Sequence, residues 1–439
     1  MVLPQYVTDC IRALEAAGFA AYCVGGCVRD HCLGLQPADF DLCTHARPDE
    51  IRRVFAGFRL ILAGEKHGTV TVLVEGNPVE ITTFRTEGDY TDSRHPQWVA
   101  FVPEIEKDLA RRDFTVNAMA YSPTRGFADP FGGREDLKNR VLRAVGDPAQ
   151  RFTEDALRIL RGVRFAVRYR LTVEKTTKTA MEELAFRMEA LSRERVFEEL
   201  CKLLPLVSAE DLLRYGPILT QVIPELAPLQ GFDQKNRHHI YDAYTHTAHV
   251  VAAVPADLTL RWAALLHDLG KPASFSLDSD GQGHFYGHAA ISAELADGIL
   301  HRLKAPTALR ERVVLLIEKH MLWFEVTKPA IRRWLSRLGI EAMQQLMILQ
   351  EADTGGKGTE NPGDNPYFSG IADLIREILA EDACLGLKDL AVNGHDLMAL
   401  GLSGKAVGRT LNLLLESVLE ETIPNEKTAL LARAQEEIQ

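Results

Sequence analysis

The chain has 439 residues, 46% of them hydrophobic, which is enough for two to four units with cores of their own. Its 61 acidic and 50 basic residues give a formal net charge of −11, which excludes a generally sticky nucleic-acid binder and confines any RNA contact to local basic patches. No apolar run approaches the ~20 residues of a membrane span, and the first residues lack the pattern of a signal peptide. Seven cysteines without a Cys-x-x-Cys pair read as reduced, mostly buried thiols of a cytoplasmic protein.

Residues 5–17 carry the apolar spacing of an amphipathic helix, stopped by Gly18. The stretch from Tyr22 to Thr44 then reads as strand, tight turn, short helix, loop, strand. Gly25 and Gly26 let the backbone turn sharply and approach a ligand. A helix from Val28 onward offers amides to a phosphate, and Arg29 adds a planar cation suited to phosphate oxygens. Ten residues on, Asp39 and Asp41 flank Phe40. As a strand, this segment would put both carboxylates on one face and Phe40 in the core. Two hard oxygen ligands opposite a phosphate cradle are what Mg²⁺-assisted phosphoryl transfer requires.

Residues 46–55 read as a helix with Pro48 in its first turn, and 70–75 with 79–85 as a hairpin around Gly76-Asn77-Pro78. Glu80 is the candidate third carboxylate beside the Asp-x-Asp pair, against the alternative of an exposed strand glutamate. The polar, turn-rich segment 85–99 is expected to be a mobile loop beside the site. In Arg111-Arg112-Asp113, Asp113 is expected to brace Arg112, which would face a triphosphate or sugar. Asp129-Pro-Phe-Gly-Gly forms a tight turn into another helix, and a strand follows at 141–144.

Residues 151–170 predict one helix capped by Thr153, with Asp155, Arg158, Arg161 and Arg164 as a slanting polar stripe. Asp155 and Arg158, three apart, are expected to point the same way. A carboxylate accepts from an exocyclic amine, and a guanidinium donates to a ring nitrogen or carbonyl. Cytosine and adenine present that pattern; uracil and guanine reverse it. One such pair therefore accepts C and A and rejects U and G without a template, because a mismatched base leaves buried polar groups unpaired.

Residues 171–230 read as all helical. Beyond them lie His246, His267-Asp268 in Ala-Leu-Leu-His-Asp-Leu-Gly-Lys-Pro, His288, His320 and Asp353. Adjacent His and Asp at a helix end can reach one metal ion, with His246 and Asp353 supplied from other helices. Mixed N/O ligands suit Mn²⁺, Fe²⁺, Ni²⁺ or Mg²⁺ better than structural zinc. His288 and His320 are candidates for a second ion or the substrate phosphate. Residues 354–369, rich in Gly, Pro and Asn, read as a linker or long loop. In the tail, Gly401, Gly404 and Gly408 with Lys405 and Arg409 could hold an RNA phosphate at a helix start or simply pack helices together.

The turn and the Asp-x-Asp pair, in this order, resemble the nucleotidyltransferase core of the polymerase-β superfamily, and the His-Asp stretch resembles the HD phosphohydrolases. Gly-Gly-x-Val-Arg-Asp, Asp-Phe-Asp, Arg-Arg-Asp-Phe-Thr-Val-Asn-Ala, Asp-Pro-Phe-Gly-Gly-x-x-Asp-Leu and Glu-Asp-Ala-Leu-Arg make residues 20–170 resemble class II tRNA nucleotidyltransferases, the CCA-adding enzymes, close kin of bacterial poly(A) polymerases. With the HD unit and the Asn-Gly-x-Asp-Leu tail the resemblance spans nearly the whole chain.

It implies an α+β fold: a head with a mixed sheet (1–140), a helical neck for base recognition (141–205), a helical body with the HD domain (206–365) and a tRNA-binding tail (366–439). It further implies that Asp39 and Asp41 hold Mg²⁺ and that Gly26 and Arg29 contact the incoming nucleotide. Arg112 would face its sugar or phosphates, and Asp155, Arg158, Arg161 and Arg164 would serve base and triphosphate recognition. The expected substrates are CTP, ATP and the tRNA 3′ end, and the HD unit is expected to add a phosphohydrolase activity on phosphorylated or cyclic-phosphate RNA ends. The 85–99 loop argues for a CCA- or A-adding enzyme over a CC-adding one. The alternatives are an A-adding enzyme or poly(A) polymerase, and, in another class, a tRNA-binding HD phosphohydrolase with an inactive head.

Overall fold

The computed structural model describes residues 1–88, 99–237, 239–358, 365–381 and 383–437. The chain divides into two compact units, Met1–Leu206 with Arg214–Pro224, and Val207–Leu213 with Glu225–Gln439.

The first unit opens with α1 (Gln5–Ala16), which buries Val7, Cys10, Ile11 and Leu14 at helical spacing. The strands β1 (Ala21–Val24), β2 (Leu42–Thr44), β3 (Arg59–Ile61), β4 (Thr69–Val74) and β5 (Asn77–Thr83) follow, with α2 (Gly26–Cys32) and α3 (Pro48–Val54) between them. Strands β6 (Arg85–Glu87) and β7 (Val99–Phe101) pair as a separate ribbon, and β8 (Ala120–Ser122) and β9 (Gly126–Ala128) complete the main sheet. Its order is β3-β4-β5-β2-β1-β8-β9. It is mixed, because β2 runs parallel to β5 while its other pairings are antiparallel. The β4–β5 hairpin closes through Glu75 (φ 51°) and Gly76 (φ 82°), the two consecutive positive φ values that a two-residue turn requires. Asn77 and Pro78, read from the sequence as turn residues, already belong to β5.

Helices α4 (Ile105–Ala110) and α5 (Gly133–Lys138) flank the sheet. Beyond it come β10 (Val141–Leu142), α6 (Pro148–Glu154), α7 (Leu157–Tyr169), β11 (Thr172–Val173), α8 (Lys175–Leu184), α9 (Arg193–Leu203) and α10 (Ala209–Leu219). Eleven of the thirteen residues of α7 are buried, Arg158 and Arg164 among them, so this helix is a core element. Gly162 permits that packing: a Cβ there would lie 2.9 Å from Phe114 and 3.1 Å from Met181.

Several local expectations are corrected. Asp39-Phe40-Asp41 is not strand: β2 begins at Leu42, Phe40 is half-buried and Asp39 is exposed. The segment only grazes the ladder, where the Asp41 carbonyl accepts from the Val24 amide at 3.0 Å. Helix α2 starts at Gly26, not Val28. Residues 151–170 are not one helix capped by Thr153. Asp147, followed by Pro148, caps α6, and the chain breaks at Asp155-Ala156 before α7. The stretch 171–230 is helical except for β11, which pairs in parallel with β10. The loop expected over 85–99 falls largely on 89–98, outside the described residues, as does 359–364 of the expected linker.

The second unit is helical: α11 (Ala243–Ala253), α12 (Leu258–Leu266), α13 (Lys271–Ser274), α14 (His288–Arg302), α15 (Thr307–Lys319), α16 (Lys328–Leu338), α17 (Ile340–Gly356), α18 (Pro366–Ala380), α19 (Gly394–Ala399), α20 (Lys405–Leu419) and α21 (Lys427–Glu436), with one short hairpin, β12 (Ser276–Leu277) and β13 (Gly283–His284). Asp242 and Asp257 start α11 and α12 by accepting backbone N–H bonds. Trp262 of α12 is fully buried, and Leu397, Leu414 and Leu430 centre the small core of the last three helices. No described helix is long and apolar enough to cross a membrane.

Candidate active site and metal centre

In the first unit, a cavity of about 510 Å³ brings together Gly25, Gly26, Arg29, Asp41, Arg112, Asp155, Arg158, Arg161 and Arg164, nine of the residues singled out from the sequence. Gly25 (φ 70°) forms the turn into α2, and a Cβ on it would stand 2.9 Å from the Arg112 guanidinium; only glycine lets that cation come so close. Asp41 opens onto the cavity. The protein packed around it pushes its carboxyl up, the Glu80 and Asp39 charges push the same way, and Arg112 opposes them. Glu80 lies exposed on β5, opposite Thr71 and one residue before Ile81, the partner of Leu42. Asp39, Asp41 and Glu80 do not form one of the groups whose ligand atoms all lie within 4.8 Å of one another.

The arginines of the cavity are already held by acids. Arg29 is nearly buried and fully engaged: it donates to Asn117 Oδ1 at 2.5 Å, Tyr169 Oη at 2.6 Å and Asp30 Oδ1 at 2.9 Å. It lines the cavity, with Nη2 3.6 Å from where a Cβ on Gly26 would stand. Asp113 does not brace Arg112, as the sequence suggested. It accepts from Arg161 Nη2 at 2.8 Å and Nε at 3.0 Å, from Asn117 Nδ2 at 3.0 Å and from the Phe114 amide at 2.9 Å. Burial pushes its carboxyl up, but Arg161 and these hydrogen bonds outweigh it and hold it at about 2. Arg112 pairs instead with buried Asp108 at 3.3 Å, which Arg111 also contacts at 2.9 Å.

Asp155 and Arg158 line the same cavity but do not pair on one helix face. Asp155 sits at the joint between α6 and α7, where Oδ1 accepts from the Leu157 amide at 3.0 Å and Oδ2 from Arg195 at 2.7 Å. Arg158 donates to Glu154 at 2.8 Å and to the Arg151 and Arg111 carbonyls at 3.1 and 3.0 Å. Arg164 pairs with buried Glu199. The Phe165 ring lies among three cations, with the guanidinium carbons of Arg164, Arg29 and Arg161 at 4.4, 5.2 and 5.2 Å from its centroid. Sequence reading missed Asn117, Glu154, Phe165, Tyr169, Arg195 and Glu199. Asn117 and Glu154 carried a signal, their places in the Arg-Arg-Asp-Phe-Thr-Val-Asn-Ala and Glu-Asp-Ala-Leu-Arg motifs.

In the second unit, His246 (α11), His267 and Asp268 (after α12) and Asp353 (α17) bring one ligand atom each within 4.8 Å of one another, and Asp268, His288 (α14) and His320 (after α15) form an adjoining group sharing Asp268. His246 Nε2 lies 2.9 Å from Asp353 and 3.2 Å from Asp268; His267 Nε2 lies 3.1 Å from Asp268; the His288 and His320 Nε2 atoms lie 3.2 Å apart. His267, His288 and His320 each turn Nδ1 to the carbonyl three residues back, at 2.8, 2.8 and 2.6 Å. That contact occupies Nδ1 and leaves Nε2 facing the cluster, the usual outer support of a metal-binding imidazole.

Buried His246 Nε2, His267 Nε2 and Asp268 Oδ2 lack hydrogen-bond partners, so the group fits a divalent cation. Burial would push the Asp268 carboxyl up, yet the cations His267 and Lys271 hold it well below the usual range. Burial likewise opposes the charged form of His267, but Asp268 and Asp353 lift it to about 10. In the tail, Lys405 and Arg409 are exposed near the start of α20, and a Cβ on Gly401, Gly404 or Gly408 would meet nothing, which leaves no tight helix packing at those glycines.

Residues 21–143 match the Poly A polymerase head domain, 238–354 the HD domain, 170–229 the "Probable RNA and SrmB- binding site of polymerase A", and 372–434 a tRNA nucleotidyltransferase domain 2. The class is therefore a nucleotidyltransferase with an HD domain and RNA-associated helices. A CCA-adding enzyme of Levilactobacillus brevis is 35% identical over 431 residues, 96% of this chain and 95% of that one. One from Streptococcus thermophilus is 33% identical over 98% and 96% of the two chains. The crystal structure of Bacillus stearothermophilus CCA-adding enzyme in complex with CTP matches with a TM-score of 0.70 at 27% identity, covering 100% of this chain and 98% of that one. The chain belongs to the CCA-adding enzyme family, the tRNA nucleotidyltransferases expected from its motifs.

Proposed function

We propose that the first unit adds C, C and A in turn to the 3′ end of tRNA from CTP and ATP, releasing pyrophosphate, as a cytoplasmic enzyme. The observation that carries this reading is the single cavity in which Gly25, Gly26, Asp41 and the arginines of α7 meet. In the reading, the Gly25-Gly26 backbone and Arg112 receive the triphosphate, and Arg161 and Arg164 hold its charge. Asp155 and Arg158 exchange their present partners, Arg195 and Glu154, for the amine and ring acceptors of cytosine or adenine. Asp39 and Asp41, with Glu80 beside them, would hold Mg²⁺, which supplies charge neutralisation at the α-phosphate and acidifies the attacking hydroxyl. A CTP complex named for a relative at 27% identity supports the nucleotide assignment. The four parts expected from the sequence divide the labour: head for chemistry, neck for the base, body and tail for the tRNA.

The test is product sequencing on tRNA lacking CCA, with CTP and ATP supplied singly and together. Complete CCA ends are expected; addition of A alone, or of a poly(A) tract, would overturn this reading. An Asp39→Ala, Asp41→Ala variant is expected to incorporate nothing, and retained CTP incorporation would overturn the metal assignment.

The complete ligand set His246, His267, Asp268 and Asp353 supports a second activity, hydrolysis of terminal or 2′,3′-cyclic phosphates on RNA ends, with Mn²⁺, Ni²⁺, Fe²⁺ or Mg²⁺ held there. In that step a water oxygen bonds to phosphorus, a phosphorus–ribose oxygen bond breaks, and the ribose oxygen takes a proton. A His267→Ala, Asp268→Ala variant that hydrolysed such ends as fast as the parent would refute it.

A further inference from the structure

Three residues of the metal cluster of the second unit, Asp268, His288 and Asp353, line a cavity of about 280 Å³, and other residues of the lining differ in kind. Tyr286 is among them, with 78% of its surface exposed. One exposed aromatic is ordinary on a protein surface. Here, however, the ring lines the same cavity as Asp268, Lys271, His288 and Asp353. It is also held in place. Its plane lies parallel to the imidazole of His284 (centroids 5.4 Å apart, planes at 6°), and His284 Nε2 is tied in turn to Asp278 Oδ2 at 2.9 Å.

The hairpin that carries these residues is clamped. The Gly283 amide donates to the Lys235 carbonyl at 2.7 Å, Asn236 Nδ2 donates to the Gly283 carbonyl at 3.0 Å, and a Cβ on Gly283 would stand 2.2 Å from the Gln234 carbonyl oxygen. An aromatic face open to water and backed by a fixed second ring is a surface on which a nucleobase stacks whatever its sequence. Two cations line the same cavity, and the first of them, Lys271, also donates to Gln234 Oε1 at 2.8 Å. Lys271 is buried and 2.7 Å from Asp268, and Lys357 is 3.9 Å from Asp353; both are placed to meet phosphate oxygens.

We propose that Tyr286 is the base-stacking platform of the HD site, so that this site takes a phosphate carried on a nucleoside in preference to a bare phosphate. The proposal rests on the hydrolase reading of the HD site and deepens it by naming the side chain that holds the base. Lys271 and Lys357 receive the phosphate, and the base lies on the outer face of Tyr286.

Two measurements on the full chain loaded with Mn²⁺ test it: the KM for 2′,3′-cyclic AMP hydrolysis, and calorimetric titration with adenosine 2′-monophosphate and, separately, inorganic phosphate. Because the head is common to every variant, any difference between isotherms belongs to the HD cavity. Tyr286→Ala is expected to raise the KM and weaken the nucleotide isotherm by roughly 5- to 150-fold, the range of one lost base–aromatic stack. Phosphate affinity is expected to stay unchanged, and Tyr286→Phe, which keeps the ring, is expected to match the parent. Equal KM values and identical nucleotide isotherms for parent and Tyr286→Ala would overturn the proposal. Absent hydrolysis with isotherms that still differ would overturn the hydrolase reading and leave the stacking site standing. Absent hydrolysis with identical isotherms would overturn both.

Discussion

Replacing Asp113 by Asn removes one charge from the floor of the nucleotide cavity while keeping the shape of the side chain. The parent carboxyl is held at about 2 against an ordinary 3.8. At 1.36 kcal/mol per unit, that difference is worth about 2 kcal/mol of stability. Asp113 is 7% exposed, so solvent screens little of this. The sign follows from a folded-state value below the unfolded one: the contribution is complete above pH 3.8 and is lost as the pH falls from there toward 2. Asp113→Asn forgoes it at every pH.

Hydrogen exchange of peptides covering 113–120 and 157–169 measures it locally. At pH 7 the variant should exchange about 30-fold faster, the ratio that 2 kcal/mol gives. The gap should narrow below pH 4 as the parent carboxyl takes up a proton. CTP incorporation should fall about 10- to 100-fold in kcat/KM, because Arg161 and Asn117 lose the anchor that orients them. Equal protection at pH 7, or a gap that does not change between pH 5 and 3, would refute the reasoning.

Asp155→Asn gives the base-reading position a donor as well as an acceptor, so UTP misincorporation relative to CTP should rise about 10- to 100-fold in single-nucleotide assays. Gly270→Ala would place a Cβ 2.4 Å from the His288 carbonyl oxygen and 2.8 Å from Ile291, displacing the first turn of α14. A loss of about 1–3 kcal/mol in body stability and weaker Mn²⁺ binding by calorimetry are expected, with CTP incorporation retained. Metal removal by a chelator should lower the thermal transition followed by tryptophan fluorescence, since Trp262, Trp323 and Trp334 all lie in the second unit. Restoring Mn²⁺ to 100 times its Kd should return about 2.7 kcal/mol, and His267→Ala should abolish the response.

The order of the parts was legible because each motif carries its own local chemistry. Gly25-Gly26 before a helix, His267-Asp268 closing an apolar helix and a hairpin between 70 and 85 need few distant contacts to be recognised, although the turn itself falls at 75–76 and not at 76–78. The period-two reading of Asp39-Phe40-Asp41 failed because the ladder begins only at Leu42, so burial of Phe40 was never enforced. Thr153 lost the helix start to Asp147-Pro148, a stronger combination of side-chain acceptor and preset φ, and Asp155 became the acceptor for the next helix. The distant acid partners of three arginines could not be read at all. Arg161 finds Asp113 across 48 residues, Arg195 finds Asp155 across 40 and Arg164 finds Glu199 across 35, distances over which spacing carries no information.

The cations of the nucleotide cavity thus arrive already paired: Arg29 with Asp30, Arg111 and Arg112 with Asp108 between them, Arg158 with Glu154, Arg161 with Asp113, Arg164 with Glu199 and Arg195 with Asp155, while Asp41 adds a further anion to the lining. Seen from a Debye length away the cleft is close to neutral, and it exerts little pull on passing polyphosphates or nucleic acid. Its attraction is spent only at contact, on a visitor able to break several internal pairs at once. An acidic chain can in this way keep an arginine-crowded cleft without becoming a trap for every anion in solution.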